Sequence, residues 1–191
     1  MARAPFTLAG HTVMPGQRLQ IDVPVARLYT HTPLHIPVEV VHGRKEGPVM
    51  LVCGGIHGDE INGVEIVRRL LRSKTINSLR GTLIAVPVVN VFGFLQQTRY
   101  LPDRRDLNRC FPGSEKGSLG GRIAALFRDE IVDHATHIID LHTGALHRTN
   151  LPQIRAQLST GSETERMADA FGAPVILNAE LREGSLRHYA Q

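Results

Sequence analysis

At 191 residues and 42% apolar content, the chain is long enough for one compact α/β domain and too apolar for intrinsic disorder. Its formal charge of +4, from 22 basic and 18 acidic side chains, comes without a run of basic residues interleaved with aromatics, which argues against a nucleic-acid partner. No stretch approaches the length of a membrane span and the N-terminus lacks an apolar signal core, so a soluble, cytoplasmic protein with no membrane partner is expected.

Up to about residue 37 the chain is rich in Pro, Gly and Thr, with short alternating pieces such as Arg18-Leu-Gln-Ile-Asp-Val23. This pattern predicts edge strands or a hairpin, a β-rich segment (1–37) packed on a main domain (38–191). Val38–His42 is strand-like, and Val49-Met-Leu-Val-Cys53 is apolar on both faces, as in a central strand covered on each side. Gly54-Gly-Ile-His-Gly-Asp-Glu60 follows directly, and from Asn62 to about Arg72 apolar residues recur at helical spacing. A second buried strand covers Thr82–Val89, and a loop rich in Gly, Arg and Asp is expected from Asn90 to about Ser118. Gly120–His134 is a predicted helix and His137–Leu141 another buried strand, followed by a helix over Ser162–Phe171 and a strand from Pro174. Strands alternating with helices predict a three-layer α/β/α sandwich around a mixed, mostly parallel sheet. Cys53 and Cys110 have neither metal-binding nor redox spacing and read as structural.

In open α/β sheets, sites gather beyond the carboxyl ends of strands. His57 and Glu60 lie in the turn after the Val49–Cys53 strand, and His142 follows the His137–Leu141 strand. A His2Glu set suits zinc, leaving a fourth position open for water. For the turn alone, a structural role for Asp59 and Glu60 at the start of the next helix competes with a metal. A second strand end supplying His142 tips the reading toward metal. Asp59 and Asp140 are candidate hydrogen-bond partners for the ligand histidines. Gly54, Gly55 and Gly58 are read as giving the turn its conformational freedom. In Thr98–Gly113, Asn108 and Arg109 could hold a carboxylate while another arginine polarises a carbonyl; a solvated loop with local pairs such as Arg105–Asp106 fits the composition equally well. The Gly54–Glu60 turn lacks the Lys-Ser/Thr and Gly-x-Gly-x-x-Gly of nucleotide sites.

Taken in order, Gly54–Glu60, Val86-Pro-Val-Val-Asn90 with Gly93, Asp106-Leu-Asn-Arg-Cys-Phe-Pro-Gly113 and Asp140-Leu-His-Thr-Gly144 resemble the succinylglutamate desuccinylase/aspartoacylase family of the zinc carboxypeptidase superfamily. The resemblance covers roughly residues 38–185. It implies one zinc on His57, Glu60 and His142, a carboxylate grip by Asn108 and Arg109, and a carbonyl-polarising role for Arg99, with Arg105 as the rival. The implied fold is carboxypeptidase-like and the implied activity is hydrolysis of the amide bond of an N-acyl amino acid or similar small carboxylate. The alternatives are a carboxypeptidase acting on peptides and a catalytically impaired zinc- and carboxylate-binding domain. The family's general base is a glutamate in a Glu-x-Gly-like context on a later strand. Glu180 and Glu183 come too early to match it, so a chain truncated at its C-terminus, and inactive alone, is expected. A homo-oligomer is compatible with the sequence.

Overall fold

The computed structural model describes residues 3–191. A small antiparallel hairpin, β1 (Phe6–Leu8) with β2 (His11–Val13), leads into β3 (Arg18–Arg27), β4 (Pro33–His42) and β5 (Lys45–Gly54). Then come α1 (Asn62–Arg72), β6 (Arg80–Val86), α2 (Val91–Gln96), α3 (Leu119–Glu130) and β7 (His137–Leu141). β8 (Gln153–Ala156), α4 (Glu163–Phe171), β9 (Val175–Asn178) and the short α5 (Leu186–Tyr189) complete the described chain.

The main sheet runs β3-β4-β6-β5-β7. It is mixed: β6, β5 and β7 are parallel, whereas β3–β4 and β4–β6 are antiparallel. Parallel pairing is thus confined to the half where helices make the crossovers, since parallel neighbours need a long connection and antiparallel ones do not. The junction expected at residue 37 lies inside β4, and the sheet runs continuously across it, with β3 as its edge strand. β8 and β9 form a separate two-stranded parallel ladder.

Strand periodicity sorts the core into two layers. Leu51, Cys53, Ile84 and Val86 point to the face where Ile123, Ala124 and Phe127 of α3 pack. Val52, Leu83, Ala85 and Leu141 point to the opposite face, against Val67 of α1 and Ile76. Strands buried on both sides are what the unbroken apolar runs of β5 and β6 require. On α1, Glu65 pairs with Arg68 and Arg69 on the solvent side.

Two local differences from expectation have physical reasons. The stretch expected as loop from Asn90 contains α2, which starts because the Asn90 side-chain Oδ1 accepts the Gly93 N–H at 2.8 Å. Its six residues include a glycine and show too little of a helical period to be read as a helix. The helix expected over Gly120–His134 breaks at Ile131, and Val132–His134 form a 3-10 turn instead.

Candidate metal centre

The β5–α1 turn and the end of β7 meet because β5 and β7 are parallel neighbours, with Cys53 opposite Asp140 and Gly54 opposite Leu141. Both strands therefore deliver their carboxyl ends to one edge of the sheet. There the ligand atoms of His57, Glu60 and His142 all lie within 4.8 Å of one another. His57 Nδ1 is 2.8 Å from Glu60 Oε1, and His142 Nδ1 is 2.8 Å from Glu60 Oε2. The Thr143 N–H donates to Oε2 of Glu60 at 2.9 Å, which holds the carboxylate between the rings. His57 and Glu60 are each 3% exposed, whereas the His142 side chain is 35% exposed. The cluster is therefore closed on the β5 side and open on the β7 side.

Glu60 does not cap the helix. α1 starts at Asn62 after Ile61, with no side-chain capping bond, because the Glu60 carboxylate is fully engaged by the two imidazoles and Thr143. Of the three glycines in the turn, only Gly55 has a positive φ (+61°). Gly54 and Gly58 are needed for close approach: a Cβ on Gly54 would lie 2.9 Å from the carbonyl carbon of Gly63 in α1, and one on Gly58 would lie 1.9 Å from that of Gly93 in α2.

The far nitrogen of each imidazole also meets a carboxylate. His57 Nε2 is 3.0 Å from Asp106 Oδ1, and His142 Nε2 is 2.8 Å from Asp140 Oδ2. Asp59, the other candidate partner, bonds neither ring; its Oδ1 is buried without a hydrogen-bond partner among the described residues. Arg99 spans Asp106 and Glu60: its Nη2 donates to Asp106 Oδ2 at 2.9 Å, and its Nη1 lies 3.3 Å from Glu60 Oε1. Three carboxylates (Glu60, Asp106, Asp140) and one guanidinium leave the cluster at −2 when both imidazoles are neutral. Either two protons or one divalent cation balances it.

The titration of these groups follows. Burial opposes charge on His142, but Asp140 and Glu60 outweigh it and lift its pKa to about 10. Burial likewise opposes charge on His57, and the bonds to Asp106 and Glu60 win, raising it. Burial would raise Glu60 and Asp106; the imidazoles, with Arg99 beside Asp106, hold both well below the usual carboxylate range. A donor set of two Nδ1 atoms and one carboxylate, with each Nε2–H anchored by an aspartate, fits a zinc-type ion.

Residues 46–191 match the succinylglutamate desuccinylase/aspartoacylase catalytic domain. The chain belongs to this family. An N-alpha-acetyl-L-2,4-diaminobutyric acid deacetylase from Halomonas elongata is 35% identical over 147 residues, covering 74% of this chain and 43% of the relative. A succinylglutamate desuccinylase from Pseudomonas aeruginosa is 27% identical, covering 90% of this chain and 55% of its own. The crystal structure of an aspartoacylase family protein from Mesorhizobium loti superimposes with a TM-score of 0.82 at 28% identity, over 98% of this chain and 61% of that one. This chain thus spans about half the length of the curated relatives it matches. The architecture is carboxypeptidase-like.

In this family member the Asp106–Arg109 turn lies beside the cluster. Asn108 is buried, with Nδ2 3.4 Å from His142 Nε2. Its amide orientation is set from behind, because the Leu186 N–H donates to Oδ1 at 2.8 Å and leaves the NH2 group facing the cluster. Arg109 is half-buried and bonds the Asn108 carbonyl. Arg105 stands apart, exposed and 3.7 Å from Asp103. Two contributors have no role that the sequence alone assigns. Asp106 heads the Asp106–Gly113 motif but carries no role of its own there, although its place two residues before Asn108, whose N–H its Oδ1 accepts at 2.9 Å, marks an Asx-type turn. The Gly184–Leu186 segment carried no local signal for its contact with Asn108.

Proposed function

We propose that this chain carries the metal centre of a zinc-dependent deacylase that hydrolyses the amide bond of N-acyl amino acids. One observation carries the reading: the imidazoles of buried His57 and partly exposed His142 converge with the Glu60 carboxylate through one nitrogen or oxygen each, while Asp106 and Asp140 hold the remaining imidazole nitrogens. The deacetylase and desuccinylase names of the relatives support the same class of substrate.

In this reading His57 Nδ1, Glu60 and His142 Nδ1 hold the ion. When bound, zinc supplies a water acidified to about neutral pH and a Lewis acid for the scissile carbonyl. The chain's own groups do the rest. Asp106 and Asp140 keep each Nε2 protonated and each Nδ1 lone pair turned inward. Arg99, anchored on Asp106 at one end of its guanidinium, presents its remaining N–H groups beside Glu60, where a carbonyl oxygen gaining charge would accept them; a donor so placed is worth about 3–4 kcal/mol in the transition state. Asn108 donates its oriented NH2, and Arg109 its planar fork, to the substrate carboxylate, fixing the amide against the cluster.

The test is elemental analysis of the purified chain and of His142→Ala, with binding of N-acyl amino acids and of short peptides measured on the metal-loaded protein. One zinc per chain lost in His142→Ala, with N-acyl amino acids preferred, is the expected result. Equal metal in both proteins would remove the basis of the reading.

A further inference from the structure

The two aspartates that hold the imidazoles are themselves held unequally. Asp106 is fixed by Arg99 through Nε and Nη2 and by the Asn108 N–H, in addition to its bond with His57. Asp140 has two side-chain partners among the described residues, His142 on Oδ2 and the Cys53 thiol on Oδ1. We propose that Cys53 is a positioning residue of the metal centre: its S–H holds the Asp140 carboxylate in the orientation that keeps Oδ2 on His142 Nε2 and so keeps His142 Nδ1 turned toward the ion. The inference rests on the proposed metal centre.

Sheet register places the three groups together. Cys53 stands opposite Asp140 on the parallel pair β5–β7, so both side chains leave the sheet on the α3 face, and strand alternation returns to that face at His142. Cys53 Sγ is 3.6 Å from Asp140 Oδ1, and Asp140 Oδ2 is 2.8 Å from His142 Nε2. A thiol, a carboxylate and an imidazole thus form one chain of hydrogen bonds running from the core to the cluster. Its inner end is the rigid one: Cys53 is fully buried, whereas the Asp140 and His142 side chains are 13% and 35% exposed. Burial, followed by the charge of Asp140, pushes the thiol well up, so the sulfur keeps its proton for the carboxylate.

The thiol matters because a carboxylate turns easily about its last torsion, whose minima are broad. With Oδ1 unheld, Asp140 would swing and the His142 ring would follow it. Packing does not prevent this on the open side of the cluster: the His57 side chain is 4% exposed, but that of His142 is 35% exposed. Filling the core alone would be served by valine, which strands favour. A valine there offers no donor, and Oδ1 would lose the bond that faces the core.

Zinc affinity from chelator competition, with urea midpoints beside it, tests this on wild type, Cys53→Val, Cys53→Ala and Cys53→Ser. Cys53→Val keeps the apolar bulk and loses the donor; Cys53→Ala loses the donor without adding volume; Cys53→Ser keeps a donor at the expense of bulk. Cys53→Val and Cys53→Ala should weaken zinc by about 3–10-fold, a part of the 10–100-fold that loss of a ligand's hydrogen-bond partner costs, while Cys53→Ser stays within about twofold of wild type, whatever the order of the midpoints. In an Asp140→Ala background, Cys53→Val should change zinc affinity by less than about twofold, because the thiol acts only through that carboxylate. Equal affinities in all four proteins, losses that follow the midpoints instead of the donor, or an undiminished effect of Cys53→Val without Asp140 would each overturn the role of Cys53 and leave the metal centre standing. A wild type that binds no zinc would overturn both.

Discussion

Replacing Gly58 by alanine tests whether the ligand turn is held by close contact. The added Cβ would lie 1.9 Å from the Gly93 carbonyl carbon and 2.2 Å from both its oxygen and the Phe94 nitrogen, where ordinary contact begins at 3.4 Å. All three atoms are backbone, so no side chain can swing aside. Nor can α2 simply retreat: Val89 N–H and Asn90 N–H donate to the Gly54 and Gly55 carbonyls at 3.0 and 2.9 Å, tying its first turn to the same loop. Relief must come from moving the loop that carries His57 and Glu60. Overpacking of this kind costs about 1–3 kcal/mol, and a backbone-on-backbone clash belongs at the upper end. Metal bonds tolerate displacements of only about 0.2 Å, so zinc affinity should fall by at least about tenfold. Urea denaturation of the metal-free chain and competition with a chromophoric chelator measure the two effects separately. A Gly58→Ala protein with unchanged midpoint and zinc affinity would refute the reasoning.

Three further outcomes rest on the charges around the cluster. Asp106→Ala removes the Nε2 partner of His57 and the anchor of Arg99 together; zinc affinity measured by chelator competition should drop by about 10–100-fold, and a drop under about threefold would deny Asp106 its orienting role. In the metal-free chain the raised pKa of His142 stabilises the fold fully below the unfolded value of 6.5, and this contribution is lost as pH rises toward about 10. Denaturation midpoints of the metal-free protein should therefore decline across that window. Zinc added near pH 7 should displace about two protons per ion, read by a pH indicator in weak buffer.

Much of this was legible in the sequence, for reasons that differ by residue. His57, Glu60 and His142 stand directly after strands, and strand ends on one sheet edge must lie near each other. Unbroken apolar runs at Val49–Cys53 and Thr82–Val86 marked the covered strands. The antiparallel half of the sheet was less visible, because which neighbour a strand pairs with depends on tertiary contacts and not on its own period. Asp106 shows the same limit at the site: its partner His57 is 49 residues away, and neither residue's local pattern encodes that contact. The glycines of the turn were visible, but two of the three serve neighbouring helices instead of an unusual dihedral angle.

The tie between Leu186 and Asn108 joins residues 78 positions apart. Synthesis at about 5–20 residues per second means that the metal-holding turn and both of its strands emerge well before the segment that orients the Asn108 amide. A nascent chain can thus gather its ion early while its grip on an acid stays unformed. In the proposed reading, competence to bind a carboxylate waits for residues 184–186, so the order of synthesis separates loading of the metal from readiness for substrate.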